Sequence, residues 1–184
     1  MIETNSLSIF LCLYNMELTQ NLDKNNDNYS TPPEVWENIK QFLPIGDDYI
    51  VWQPFFNSDS KSPCHLSKLG CNVLYSNVDF FNSRPSCATH IVTNPPFSCK
   101  EKVFESEVVQ PRPSIVVILP VHSLCTRFIK KYFKNKLQLI IPDTRLHFER
   151  VDTKTNVRKT IKRTPFDSIY GCYMMGLPRD VIWL

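Results

Sequence analysis

Apolar residues along this chain fall into short blocks of two kinds. Over residues 33–42, Val35, Trp36, Ile39 and Phe42 recur at helical spacing, with Thr31 as the expected N-cap and Pro32 at the first helical position. Leu43-Pro44 closes that helix. Blocks of the second kind are continuous and β-branched or aromatic: 49–52, 72–75, 90–93, 114–119 and 137–141 each read as a strand covered on both faces. Between them, 63–69 (ended by Gly70), 100–109 and 121–133 read as helices. Strands alternating with helices predict a Rossmann-like α/β fold, a mostly parallel sheet with helices on both faces. Residues 169–175 form a last strand with no helix before it, so it is expected to run antiparallel and make the sheet mixed.

Ligands of open sheets of this kind sit beyond the carboxyl ends of the strands. Three loops share that rim: the one after Trp52, the one after Tyr75, and Asn94-Pro95-Pro96-Phe97. The last is the most specific. Two consecutive prolines lack N–H donors, fix two φ angles and push the preceding residue out of helix, so the strand leaves through a rigid extended turn. That turn offers an amide oxygen, a free carbonyl and an aromatic ring. By itself it is equally an ordinary strand exit. Its functional reading is a grip on a flat heterocycle that carries an exocyclic amine: the Asn94 oxygen and the Pro95 carbonyl accept the two N–H bonds and Phe97 stacks on the ring. Such an amine is a poor nucleophile because its lone pair is delocalised. Two acceptors favour a pyramidal nitrogen whose lone pair points at an electrophilic methyl group.

Composition narrows the setting. The chain has 184 residues, 42% of them hydrophobic, enough for one full core. The polar run from Asn21 to Asn28 reads as a lead-in, so 1–28 is expected to be flexible and 29–184 to form a single domain. The net charge of +3 is too small to make the average surface a nucleic-acid footprint, so any such surface must come from local clustering. One cluster qualifies: Lys154 to Arg163 holds many bases and no acid, and Arg158, Lys159, Lys162 and Arg163 are candidate phosphate contacts. The cations of 127–136 either extend that patch or face away. Seven scattered cysteines without a C-x-x-C suggest reduced thiols in an intracellular protein, cytoplasmic or nuclear. The four histidines show no metal-ligand spacing, so no metal is expected. The apolar stretch 7–14 is too short to span a bilayer, and no membrane partner is expected.

Trp52-Gln53-Pro54-Phe55, Asp79-Phe80-Phe81 and Asn94-Pro95-Pro96-Phe97, in that order, resemble the S-adenosylmethionine-dependent adenine-N6 methyltransferases, especially the compact phage and large-virus type. The resemblance runs from about Ser30 to the end of the chain. It implies a class I methyltransferase fold, with Asn94, Pro95, Pro96 and Phe97 as the catalytic turn. It further implies S-adenosylmethionine as methyl donor, held by Thr31, Pro32, Pro54, Phe55, Asn57, Asp59, Asp79 and Phe80. Phe80 and Phe81, as phenylalanines, are more often core than ligand stackers, and one of the two is expected to face the donor. Two positions depart from the family pattern. The donor loop reads Phe56-Asn57-Ser58-Asp59-Ser60 where the family places glycines, and no carboxylate ends the 72–75 strand, leaving Ser76 or Asn77 to hold a ribose.

The function expected is methylation of adenine N6 in DNA or RNA, with a protein partner supplying target specificity because no segment is long enough for a recognition domain. The alternative is an inactive methyltransferase fold serving as a nucleic-acid-binding or assembly module. A protein glutamine as acceptor is a third reading, which the basic loop disfavours.

Overall fold

The computed structural model describes residues 29–55, 61–75, 80–81, 85–98, 100–109, 114–152, 157–161 and 166–184, with 107–109, 151–152 and 157–161 as backbone alone. In chain order the elements are β1 (Tyr29–Ser30), α1 (Pro33–Glu37), a 3-10 turn (Lys40–Phe42), β2 (Val51–Trp52), α2 (Ser62–Lys68), β3 (Val73–Leu74) and β4 (His90–Thr93). There follow α3 (Lys100–Val109), β5 (Ser114–Pro120), a 3-10 turn (Val121–Cys125), α4 (Arg127–Phe133) and β6 (Leu137–Ile141). The chain closes with β7 (Phe148–Asp152), β8 (Val157–Ile161), β9 (Ser168–Tyr173) and β10 (Val181–Trp183).

Seven strands form one sheet in the order β10-β6-β9-β5-β4-β2-β3. All neighbours run parallel except β9, which is antiparallel to both β5 and β6. This is the Rossmann-like, mostly parallel fold with an antiparallel strand near the C-terminus that the sequence pattern led us to expect. One strand was not foreseen: β10, only three residues long, pairs parallel with β6 at the edge. Alternation along the strands splits the core in two. Val92, Val116, Ile118 and Tyr170 face α1 and α2 through Val35, Trp36 and Leu66, whereas Ile91, Val117 and Leu119 face α3 and α4 through Phe104, Phe128 and Phe133.

Two expected helices are broken, each for a local reason. The helix over 33–42 stops at Glu37 because the buried Tyr170 hydroxyl donates to the Val35 carbonyl at 2.5 Å. Ile39, whose N–H would have taken that carbonyl, turns to Trp36 in a 3-10 step. The helix over 121–133 breaks at Thr126, which is extended and spends both its hydroxyl and its N–H on the Ser123 carbonyl. Thr31 is not the N-cap of α1; Pro32 occupies that position, and the Thr31 hydroxyl is used elsewhere.

The basic stretch is also not one loop. Part of it is β8, paired antiparallel with β7, and β7 pairs with β1 to make a separate three-stranded sheet. Phe148 of β7 and Tyr29 of β1 pack into the same half of the core as α1 and α2. The hairpin therefore stands on the α1–α2 face.

Gly171 lies where β9 crosses closest to its neighbours: a Cβ there would sit 3.0 Å from Leu119 Cδ1 and 3.4 Å from Leu137 and Val117 methyls. Gly171→Val is expected to lower the unfolding free energy by about 1–3 kcal/mol through overpacking. Urea denaturation checks this, and an unshifted midpoint would contradict the tight fit.

Candidate active site

β4 delivers Asn94 to the carboxyl rim of the sheet, and Pro95-Pro96 prevents the ladder from continuing. Asn94 is half-buried. Its Nδ2 donates to the Thr31 hydroxyl at 3.0 Å, across 63 residues of sequence, while its Oδ1 is buried with no hydrogen-bond partner. Pro95 is buried and Pro96 half-buried. Phe97 is fixed at both ends: its ring meets Phe166 edge to face at 5.0 Å and 84°, and its carbonyl accepts from Lys100 Nζ at 3.1 Å. Phe166 in turn meets Tyr29, and Tyr29 meets Phe148, with centroids 6.1 and 6.2 Å apart. An aromatic chain thus links the turn to β1 and β7.

One strand over, β2 ends in the second group. Phe80 lies buried between Trp52, which stacks on it at 5.5 Å and 15°, and Phe55 at 4.7 Å. Phe81 stands perpendicular to Phe80 and is 47% exposed, so it, rather than Phe80, offers an accessible ring. Gln53 is buried and donates through Nε2 to Ser62 Oγ at 3.0 Å, an oxygen that also accepts from Trp36 Nε1 at 2.7 Å. Gln53 Oε1 and Trp52 Nε1 have no partner. Pro32 and Pro54 are buried beside these groups in the chain. Asn57, Asp59, Asp79, Lys162 and Arg163 lie outside the described residues.

The pattern of unpartnered atoms locates the site. Among the described residues, seven side-chain polar atoms are buried without a hydrogen bond, and six of them belong to Trp52, Gln53, Thr93, Asn94, Ser123 and Ser168. Those six sit at or just past the carboxyl ends of β2, β4 and β5, Ser168 being the β9 residue beside Pro120. Each such atom costs about 1–3 kcal/mol when nothing satisfies it. Concentrated on one rim, these atoms mark a place where ordered water or a ligand can supply the missing partners. Gln53 was named within its motif without a role, and Thr93, Ser123 and Ser168 were not singled out from sequence, because isolated polar residues at strand ends carry no periodic signal.

The opposite rim looks different. An open groove of about 770 Å3, lined by Asn38, Phe42, Ile45, Tyr49, His90 and Met175 among others, lies at the amino ends of β2 and β4. None of the residues with those unpartnered atoms lines it. Of the cations, Arg158 and Lys159 fall within β8, opposite Val151 and Arg150, and Arg150 is exposed. Arg127, Lys130, Lys131, Lys134 and Lys136 are exposed on or after α4, whose apolar side packs on the other face of the sheet, so they do not extend the hairpin's charge. Burial lowers the pKa of His65 on α2, where Lys68 adds to the effect, and of His90 on β4.

No protein-family model matches the sequence, and no curated protein matches it. Among solved structures, the chain is similar to a precorrin-6y C5,15-methyltransferase from Geobacter metallireducens GS-15 (12% identity, 80% of this chain, 92% of that chain, TM-score 0.42). It is also similar to the 23S rRNA methyltransferase ErmE (14%, 79% and 69%, 0.45) and to the tRNA (m1A58) methyltransferase TrmI from Aquifex aeolicus (14%, 77% and 69%, 0.37). Identity and TM-score are low in all three, so the chemistry below rests on this chain's own residues.

Both histidines prefer to be neutral in the fold, with pKa values below 6.5. Between the folded pKa and 6.5 the unfolded chain binds more protons, so their contribution lowers stability as pH falls through that window. Thermal melts from about pH 7.5 to about pH 5 should show a decline that His65→Gln with His90→Gln makes shallower; an unchanged slope would contradict it.

Proposed function

We propose that this protein is an S-adenosylmethionine-dependent methyltransferase that methylates the exocyclic N6 amine of adenine in DNA or RNA. The observation that carries the reading is Asn94 Oδ1, a buried acceptor left without a partner at the exit of β4. In this reading Asn94 Oδ1 and the Pro95 carbonyl accept the two amine N–H bonds, Pro95 and Pro96 hold those acceptors still, and Phe97 lends its ring to the base. When bound, the donor supplies an electrophilic methyl: the amine lone pair forms the N–C bond, the C–S electron pair stays on sulfur, and the surplus amine proton leaves to water.

The residues at the end of β2 fit such a donor. Trp52 Nε1 is a buried donor and Gln53 Oε1 a buried acceptor, both unpartnered, beside an aromatic group of Phe55, Phe80 and Phe81. We assign donor binding to Pro32, Pro54, Phe55, Asn57, Asp59 and Asp79, with buried Phe80 backing the exposed Phe81 ring, and Thr31 to the acceptor half, where its hydroxyl holds Asn94. In this reading Arg158, Lys159, Lys162 and Arg163 grip the nucleic-acid backbone. A duplex substrate would have to flip its adenine out of the stack. The domain spans 29–184, and a protein partner sets the target.

A second reading draws on the same region. The tight Trp52–Phe80–Phe55 stack and the glycine-free 56–60 segment favour a methyltransferase fold that binds nucleic acid without turning over.

Calorimetry separates the two. S-adenosylmethionine should bind at micromolar concentration, and no heat at millimolar donor would favour the second reading. Asn94→Ala should cut kcat by about 10²–10³-fold, the usual cost of losing one preorganised hydrogen bond to the reacting group, with donor affinity nearly unchanged. Equal loss of both would remove Asn94 from the acceptor half. Arg158→Glu with Lys159→Glu should weaken oligonucleotide binding and reduce its slope against log salt by about 2. An unchanged slope would make the hairpin ordinary surface.

A further inference from the structure

The hydrogen bond at Asn94 joins two residues that share an unusual setting. Thr31 precedes Pro32-Pro33, and Asn94 precedes Pro95-Pro96. A proline restricts the residue before it to extended backbone, and its own φ is fixed, so both ends of this bond are held by rigid main chain. Thr31 is further held from upstream, because Ser30 pairs with Glu149 of β7. It is 3% exposed, and its hydroxyl is not used to cap α1, whose N-cap position belongs to Pro32.

We propose that Thr31 is a positioning residue for the acceptor base, deepening the reading given above and resting on it. An amide is nearly symmetric in shape, and only its hydrogen bonds distinguish oxygen from nitrogen. The Thr31 oxygen takes the amide N–H at 3.0 Å. With the nitrogen turned to Thr31, Oδ1, an acceptor, is the amide atom left buried without a partner, and an acceptor there suits a purine with an amino group at position 6 and repels one with a carbonyl there. Thr31 therefore selects adenine over hypoxanthine without touching either. This differs from a role for Thr31 in holding the methyl donor, and donor affinity tells the two apart.

The test compares wild type, Thr31→Val and Thr31→Ser in the full chain. Short oligonucleotides with one central adenine or one central hypoxanthine are titrated in the presence of S-adenosylhomocysteine, with donor binding measured separately. Wild type should prefer adenine by about tenfold or more, the effect of a satisfied acceptor compared with one facing another acceptor. Thr31→Val should reduce that preference to within about threefold and lower kcat by about tenfold or more, with donor affinity unchanged; Thr31→Ser should restore both. A Thr31→Val protein that keeps the full preference overturns the proposal, as does one that loses donor binding instead. A wild type that binds neither oligonucleotide preferentially and transfers no methyl group overturns the function above. Should Thr31→Val not fold, NMR of wild type decides: a slowly exchanging Asn94 side-chain amide proton with an NOE to the Thr31 methyl supports the bond, and fast exchange of both amide protons contradicts it.

Discussion

The Asn94 turn at the carboxyl rim is held by one polar bond between two stiff segments. Thr31 and Asn94 are 63 residues apart, and each is the last residue before a Pro-Pro pair. Prolines have no N–H to give a ladder and fix φ, so each segment leaves its strand at a fixed place and in a fixed direction. The bond joins the residue after β1 to the exit of β4. It also decides which atom of Asn94 remains for other chemistry.

The sheet arranges the rest around that pair. Parallel β2, β4 and β5 end on the same side, and antiparallel β9 begins there, so Gln53, Asn94 and Ser168 arrive together although they are scattered in sequence. Alternation along each strand puts these three on the face that carries α1, α2 and the β7–β8 hairpin. The cations of α4 belong to the other face, where they suit the end of a helix and a solvated surface. The β7–β8 hairpin, whose strand β8 carries Arg158 and Lys159, adjoins the rim through the Phe148–Tyr29–Phe166–Phe97 ring pairs.

Much of this was legible in the chain. The blocks at 90–93, 100–109 and 137–141 became elements with those bounds, because long apolar runs and an uninterrupted helical segment leave little choice. Antiparallel β9 followed from the lack of a crossover helix before it. What escaped was set by tertiary structure. The end of α1 is dictated by Tyr170, 135 residues away from Val35, and no local pattern announces that. β10 is three residues long, and β8 lies within a basic stretch whose composition suggests a loop for phosphate contact rather than a strand. The Asn94 turn was readable since proline acts locally, whereas its Thr31 anchor was not, since a threonine before a proline looks like a helix cap.

The most direct test of the account is the identity of the product. Oligonucleotides incubated with the protein and methyl-labelled S-adenosylmethionine, then digested to nucleosides and analysed by mass spectrometry, should carry the label in N6-methyladenine alone. Label in another base or at a ring nitrogen of adenine, or no label while the protein still binds the donor, would contradict it.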